Sequence, residues 1–216
     1  MLTPFLFLFF AYILGSFPSG YLITKFSTGK DILKTGWRKT SASNVYRHVG
    51  KWQGALTGIL DMTKGYSAVY FAQKLGFPSE IQVFSGLVAV IGHNWSCFLK
   101  MAGGRGIGTF LGALLALSSE IFIASLIFFV VFSLIFNPAL VTFLFLFINI
   151  SLSLYLNQFE LVGYFTLFCL APIFIKRLSP IKEISPLTER KGLIKNRLLY
   201  DNDEIGRIRA RSLFEK

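Results

Sequence analysis

Hydrophobic residues fall in long runs along this chain, and the short segments between the runs hold most of its charge. A helix that crosses a bilayer needs about 20 consecutive apolar residues, fewer where neighbouring helices cover it. Seven runs qualify: residues 2–23, 54–75, 81–99, 106–118, 121–136, 139–156 and 161–175. From Gly106 to Ile175 the only charged residues are Glu120 and Glu160, and a stretch of that length holds three or four helices of about 20 residues. Asn137-Pro138 divides it, because proline restricts the residue before it and commonly ends a helix, so four are expected. The pattern predicts an all-α polytopic membrane protein, with about seven transmembrane helices in residues 1–178 and a basic tail over residues 179–216. No Lys or Arg precedes the first run, so it is expected to remain as a span rather than to be cleaved as a signal peptide.

Composition sharpens this picture. Of 216 residues, 53% are hydrophobic and only 15% charged, with 24 Phe. Average chains are about 25% charged, so this one lacks the polar side chains that would coat a water-facing surface. The balance of 22 Lys and Arg against 11 Asp and Glu gives +11, which in a soluble protein would suggest nucleic acid. Its placement points elsewhere, and no nucleic-acid partner is expected. Lys25, Lys30, Lys34, Arg38, Lys39, Arg47 and Lys51 share one connection, Lys100 and Arg105 another, and the tail holds most of the rest. Alternate connections carry Glu80, Glu120 and Glu160 instead. The positive-inside rule then sets the N-terminus outside and the C-terminus in the cytoplasm, which requires an odd number of spans. The tail suits contact with anionic lipid headgroups. Cys97 and Cys169 have no CxxC or CxxH partner, which supports neither a disulfide framework nor a zinc site.

Polar residues at membrane depth are costly, so their positions carry information. If the chain is helical from about Ser43, then Asn44, Arg47 and His48 share a face, with Lys51 one turn on. Such a face can hold an anion, or it can simply touch lipid phosphates as a retention loop. His93, in Gly92-His93-Asn94-Trp95, is expected about 10 Å from the boundary at Lys100 by helix rise; it is either a hydrogen-bonded core residue or, with Asn94, part of a site. Gly103-Gly104-Arg105-Gly106-Ile107-Gly108-Thr109 opens a helix. Backbone N–H groups there can converge on an anion in the field of the helix N-terminus, and Arg105 adds a planar donor fork. The loop is not a Walker A motif. Gly104, Gly108 and Gly112 are also spaced four apart, as in close helix packing. Asp61 and Lys64 lie three apart on one face deep in the second run, as a structural ion pair or a permeation group.

Taken in order, these stretches resemble the bacterial acyl-phosphate:glycerol-3-phosphate acyltransferase family, the PlsY family, over roughly residues 8 to 178. Gly15-Ser16-Phe17-Pro18-Ser19-Gly20 is similar to that family's opening GSIPSG; Ser43-Asn44-Val45-Tyr46-Arg47 with Gly50-Lys51 matches the end of its first motif; Asp61 with Lys64-Gly65 matches its D..KG. Gly92-His93-Asn94 through Gly103-Gly104-Arg105-Gly106 matches its second. The chain departs from the family at Trp37-Arg38-Lys39, where Ser-Gly-Asn is usual, at Arg105, where Lys is usual, and at Lys176-Arg177-Leu178, which lack the third motif's His and Asn. That motif can be matched further down, at Asn196-Arg197-Leu198, only with an insertion.

The resemblance implies a seven-helix enzyme of the bacterial inner membrane that moves an acyl group from acyl phosphate to the 1-hydroxyl of glycerol 3-phosphate, giving lysophosphatidic acid. It implies no cofactor and no metal, because an acyl phosphate is already activated and needs chiefly positioning and charge stabilisation. On that reading Gly103, Gly104, Arg105, Gly106 and Thr109 hold one phosphate, Asn44, Arg47 and Ser43 hold the other, and His93 and Asn94 orient the carbonyl or the attacking hydroxyl. The alternatives are a divergent member that binds a phospholipid or another acceptor, and a small transporter built around Asp61 and Lys64.

Overall fold

The computed structural model describes residues 3–136, 138–178 and 194. Every regular element among them is helical. These are α1 (Pro4–Ser16), α2 (Ser19–Thr28), α3 (Ala42–His48), α4 (Lys51–Lys74), α5 (Ser79–Asn94), α6 (Ile107–Leu117), α7 (Ser119–Ile135), α8 (Pro138–Tyr155) and α9 (Tyr164–Leu178), the last entered through a wide π turn at Phe159–Gly163. Each of the seven expected apolar runs coincides with helix. Among the described residues three helical stretches are long and apolar enough to cross a membrane: Pro4–Thr28, Ser79–Leu99 and Phe159–Leu178. The basic tail expected over residues 179–216 lies outside the described residues apart from Ile194.

Two runs differ from expectation for local reasons. The first continues past Ile23 to Thr28 and is broken at Phe17-Pro18, where proline has no N–H to give to the helical ladder. The fourth forms only the 11 residues of α6, about 16 Å of helix against a hydrocarbon core of about 30 Å. An irregular glycine segment precedes it. Gly103, Gly104, Arg105 and Gly106 are all buried, and irregular backbone is tolerated at such depth only inside protein.

Packing pairs reveal the relative directions of α1, α4, α5, α6 and α9. Gly108 lies against Asp61 and Gly58, Gly112 against Met62, and Gln73 Nε2 donates to the Ala116 carbonyl, so α6 runs parallel to α4. Phe7 meets Phe77 and Gly15 meets Ala89, so α1 runs parallel to α5; Phe84 stacks on Phe168 and Asn94 reaches Pro172, so α9 does too. α4 and α5 form a hairpin whose turn contains Gly76 at φ +73°. The start of α1 and the end of α9 therefore lie at opposite ends of the bundle. Between α6, α8 and α9 the core is aromatic: Phe110 stacks on Phe165 at 4.8 Å and meets Phe145 edge-on at 5.8 Å. Ser125 donates to Asn149 Oδ1 at 2.9 Å and ties α7 to α8.

Candidate functional site

α3 begins at Ala42, one residue before the expected start, and organises the loop in front of it. Asn44 is fully buried. Its Nδ2 donates to the carbonyls of Thr35 (3.1 Å) and Lys39 (2.7 Å), and its Oδ1 accepts from the Trp37 N–H at 2.9 Å. Both amide hydrogens expected at an anion are thus spent on the chain itself, and Asn44 shapes the loop. His48, one turn on, packs with Asn44 around Gly36. Ser43 Oγ lies 3.4 Å from Ser41 Oγ. Arg47 faces outward from the same helix. Partial burial, and then the charge of Arg47, lower the His48 imidazole below its ordinary value, which favours the neutral ring at pH 7.

The glycine segment wraps around the end of α5. Gly104 donates its N–H to the His93 carbonyl at 3.1 Å, so this amide is not one of the bare donors expected for an anion. A side chain at Gly104 would run into the His93 imidazole at Nε2; only glycine lets the ring and the backbone approach this closely. Gly106, at φ +81°, turns the chain into α6. Asn94 Nδ2 donates to the Pro172 carbonyl at 3.1 Å, and its Oδ1, beside Gly106, takes no hydrogen bond among the described residues. Thr109 is wholly buried with its carbonyl against Gly65, at the α4–α6 contact.

On the other side of His93 lies the expected ion pair, with more partners than expected. Lys64 Nζ donates to Asp61 Oδ1 at 2.8 Å, Ser19 Oγ donates to the same oxygen at 2.7 Å, and Lys64 Nζ also reaches Ser19 Oγ at 2.8 Å. His93 Nδ1 stands 3.5 Å from that oxygen. All four residues are buried, so each charge or dipole here is compensated by another.

The two anion-binding stretches expected from the sequence meet. Thr40 N–H donates to the Gly103 carbonyl at 3.3 Å and joins the loop before α3 to the glycine segment. Above this junction the indole of Trp37 carries two guanidinium groups: Arg105 Cζ lies 4.8 Å and Arg47 Cζ 5.4 Å from its ring centre, with the His48 ring edge-on at 5.7 Å. Trp37 lines the site. Two further cations close the rim. Lys39 is buried, and its charge opposes that of Lys176, which is also buried, donates to the Met101 carbonyl at 3.4 Å and lies over Trp95. Among the described residues Asp61 is the one buried carboxylate, against buried Lys39, Lys64, Arg105, Lys176 and Arg177.

Sequence reasoning did not assign Ser19, Lys39, Trp37 or Lys176 to the site. Ser19 was visible within the Gly15 to Gly20 stretch, and Lys176 as a basic residue after the last apolar run, at the place of the family's third motif. An apolar groove of about 620 Å³ between Phe10, Ile13, Phe71 and Leu75 lies at the other end of the bundle.

Comparison with known proteins shows the family. Residues 5–185 match the family model described as glycerol-3-phosphate acyltransferase. A protein of that name from Prochlorococcus marinus (strain MIT 9301) is 41% identical over 126 residues, which is 58% of this chain and 64% of the relative. Another, from Prochlorococcus marinus subsp. pastoris, is 42% identical over 116 residues, 54% of this chain and 59% of the relative. The matched stretch thus spans less than two thirds of these curated relatives. The crystal structure of PlsY, an integral membrane glycerol 3-phosphate acyltransferase, in its glycerol 3-phosphate form superposes with a TM-score of 0.74 at 26% identity, covering 87% of this chain and 93% of that one. Its lysophosphatidic acid form gives 0.68 at 27% identity, with the same coverage. With its helical membrane fold and its paired cationic loops, the chain belongs to the glycerol-3-phosphate acyltransferase family.

Proposed function

We propose that the protein is a multi-pass enzyme of the bacterial inner membrane that transfers an acyl group from acyl phosphate to the 1-hydroxyl of glycerol 3-phosphate. The observation that carries this reading is the meeting of Arg47 and Arg105, from separate loops, on one indole above the buried glycine turn. By their distances to the ring the two guanidinium carbons are within about 10 Å of each other, close enough for cationic forks to act on neighbouring phosphoryl groups. Residues 1–178 form the catalytic unit, with seven spans, the site on the cytoplasmic side and the tail beyond. Opposite ends for α1 and α9 and the basic content of the site's rim support that sidedness.

In the reaction, the 1-hydroxyl oxygen attacks the acyl carbonyl carbon, a C–O bond forms, and the carbonyl-to-phosphate C–O bond breaks with its electron pair leaving on phosphate. The hydroxyl proton goes to His93 Nε2, which faces the glycine turn while Asp61 occupies the Nδ1 side. Asp61 and Lys64 remain a structural pair, and through Asp61 they also orient His93. Arg105 and Arg47 balance the charge on the phosphates, with Ser43 and the loop shaped by Asn44 completing the second site. Gly103, Gly104 and Gly106 give the backbone of the first site, Asn94 Oδ1 remains to accept from substrate, and Thr109 supports the loop from beneath. Lysophosphatidic acid and inorganic phosphate are the products.

Purified protein in detergent, given acyl phosphate and labelled glycerol 3-phosphate, is expected to form labelled lysophosphatidic acid and release one phosphate per turnover. If no such product forms where a consensus family enzyme works in parallel, the reading is wrong.

A further inference from the structure

The loop from Thr35 to Lys39 is held more firmly than an ordinary connection, and its tip is Trp37. Gly36 (φ +57°) and Arg38 (φ +56°) on either side of Trp37 are both left-handed. Arg38 has a side chain, and such a residue occupies that conformation only where its surroundings fix it. Four hydrogen bonds fix it: Asn44 spends three on Thr35, Trp37 and Lys39, and Arg38 N–H donates to the Thr35 carbonyl at 3.1 Å. The product of that arrangement is an indole projected between α3 and the glycine segment, carrying Arg47 and Arg105.

We infer that Trp37 is a positioning residue for phosphate recognition: its ring holds the Arg47 and Arg105 guanidinium groups in register, so that each meets its own substrate phosphate as one half of a pre-formed pair. Two cations this close repel each other, and the exposed Arg47 side chain has room to move away. An electron-rich ring face attracts both. Their side-chain entropy is then lost before the substrate arrives rather than on binding. Trp37 also fills space that a smaller residue would leave to water. The activity arm of the test rests on the proposed acyl transfer; the binding arm does not.

Trp37→Ala and Trp37→Phe are assayed as full-length protein, with glycerol 3-phosphate varied at saturating acyl phosphate. The Ala variant is expected to raise KM for glycerol 3-phosphate about tenfold with kcat within about twofold, while Phe, which keeps a ring, stays within about threefold of wild type. In parallel, inorganic phosphate is titrated in a Trp95→Phe background while tryptophan emission is read: that protein should respond, and adding Trp37→Phe should abolish the response. Should Trp37→Ala fail to fold, the Phe variant and the emission titration decide. A wild-type KM in Trp37→Ala with only a smaller active fraction, or a phosphate response that persists in Trp37→Phe, overturns the inference. If wild type binds phosphate through Trp37 yet transfers no acyl group, the acyltransferase reading fails while Trp37 keeps its place.

Discussion

His93 Nδ1 stands 3.5 Å from Asp61 Oδ1 across the α4–α5 interface, while Nε2 of the same ring borders Gly104 in the glycine turn. The carboxylate is itself held by Ser19 and Lys64, so the imidazole is oriented from behind by a group that has no freedom to turn. A pair that looks purely structural along α4 thereby acts on the site, through one shared oxygen.

His93→Gln should lower kcat by about 100-fold or more, the range of a lost general base, with KM for glycerol 3-phosphate within about twofold. Asp61→Asn should do two things. It leaves the buried Lys64 without its counter-charge and chiefly lowers the yield of folded protein. In the folded fraction kcat should fall less than for His93→Gln. Steady-state kinetics on material purified by size exclusion separates the two effects, and equal kcat in all three proteins would rule His93 out as the base.

Arg105 is buried in the glycine turn and stacked on Trp37. Hydrogen bonds to charged groups contribute about 1.5–3 kcal/mol each, so Arg105→Ala should lower kcat/KM by about 100-fold or more. Arg105→Lys keeps the charge but loses the planar fork and the stacking, and should fall between the two. Initial-rate measurements that leave Arg105→Ala at wild-type efficiency would remove this residue from the site.

The chain has two histidines, which makes their titrations easy to follow by NMR. His48 starts below the ordinary value because of burial and the neighbouring Arg47 charge. An anion bound beside Arg47 opposes that charge and favours the imidazolium, so inorganic phosphate should raise the His48 midpoint towards the ordinary value of about 6.5. In Arg47→Gln the free midpoint should rise and phosphate should no longer move it. A midpoint that falls with phosphate would contradict an anion site at Arg47.

The helical membrane class was legible because lipid forces the pattern: long apolar runs, with charge confined between them. Asp61, Lys64, His93 and the glycine segment stood out for the same reason. What stayed hidden depended on contacts distant in sequence. Nothing in Asn44 itself shows that its amide hydrogens go to Thr35 and Lys39, and nothing in Ser19 shows that it meets Asp61. The fourth apolar run was legible as the short helix α6, but the burial of the glycines before it was not. Trp37 was noticed only as a departure from the family's serine; its position against Arg47 and Arg105 needed coordinates.

Gly104 and Gly112 belong to one four-residue spacing in the sequence, yet the structure gives them different work, and this difference can be measured. At Gly112 an added methyl group would meet the Met62 carbonyl, a rigid part of α4. Gly112→Ala must push α4 and α6 apart, a misfit of the kind that costs about 1–3 kcal/mol in packed interiors, and it should lower the melting temperature and yield in detergent. At Gly104 the same methyl group would meet the His93 ring, a side chain that can rotate away. Gly104→Ala should therefore fold nearly as well as wild type but move His93 off the line to the acyl carbonyl, so that kcat falls at least about tenfold. Thermal unfolding and kcat measured on both variants give opposite patterns under this account. If Gly104→Ala unfolds as early as Gly112→Ala and its folded remainder turns over normally, then the glycine segment is packing alone and His93 does not work through it.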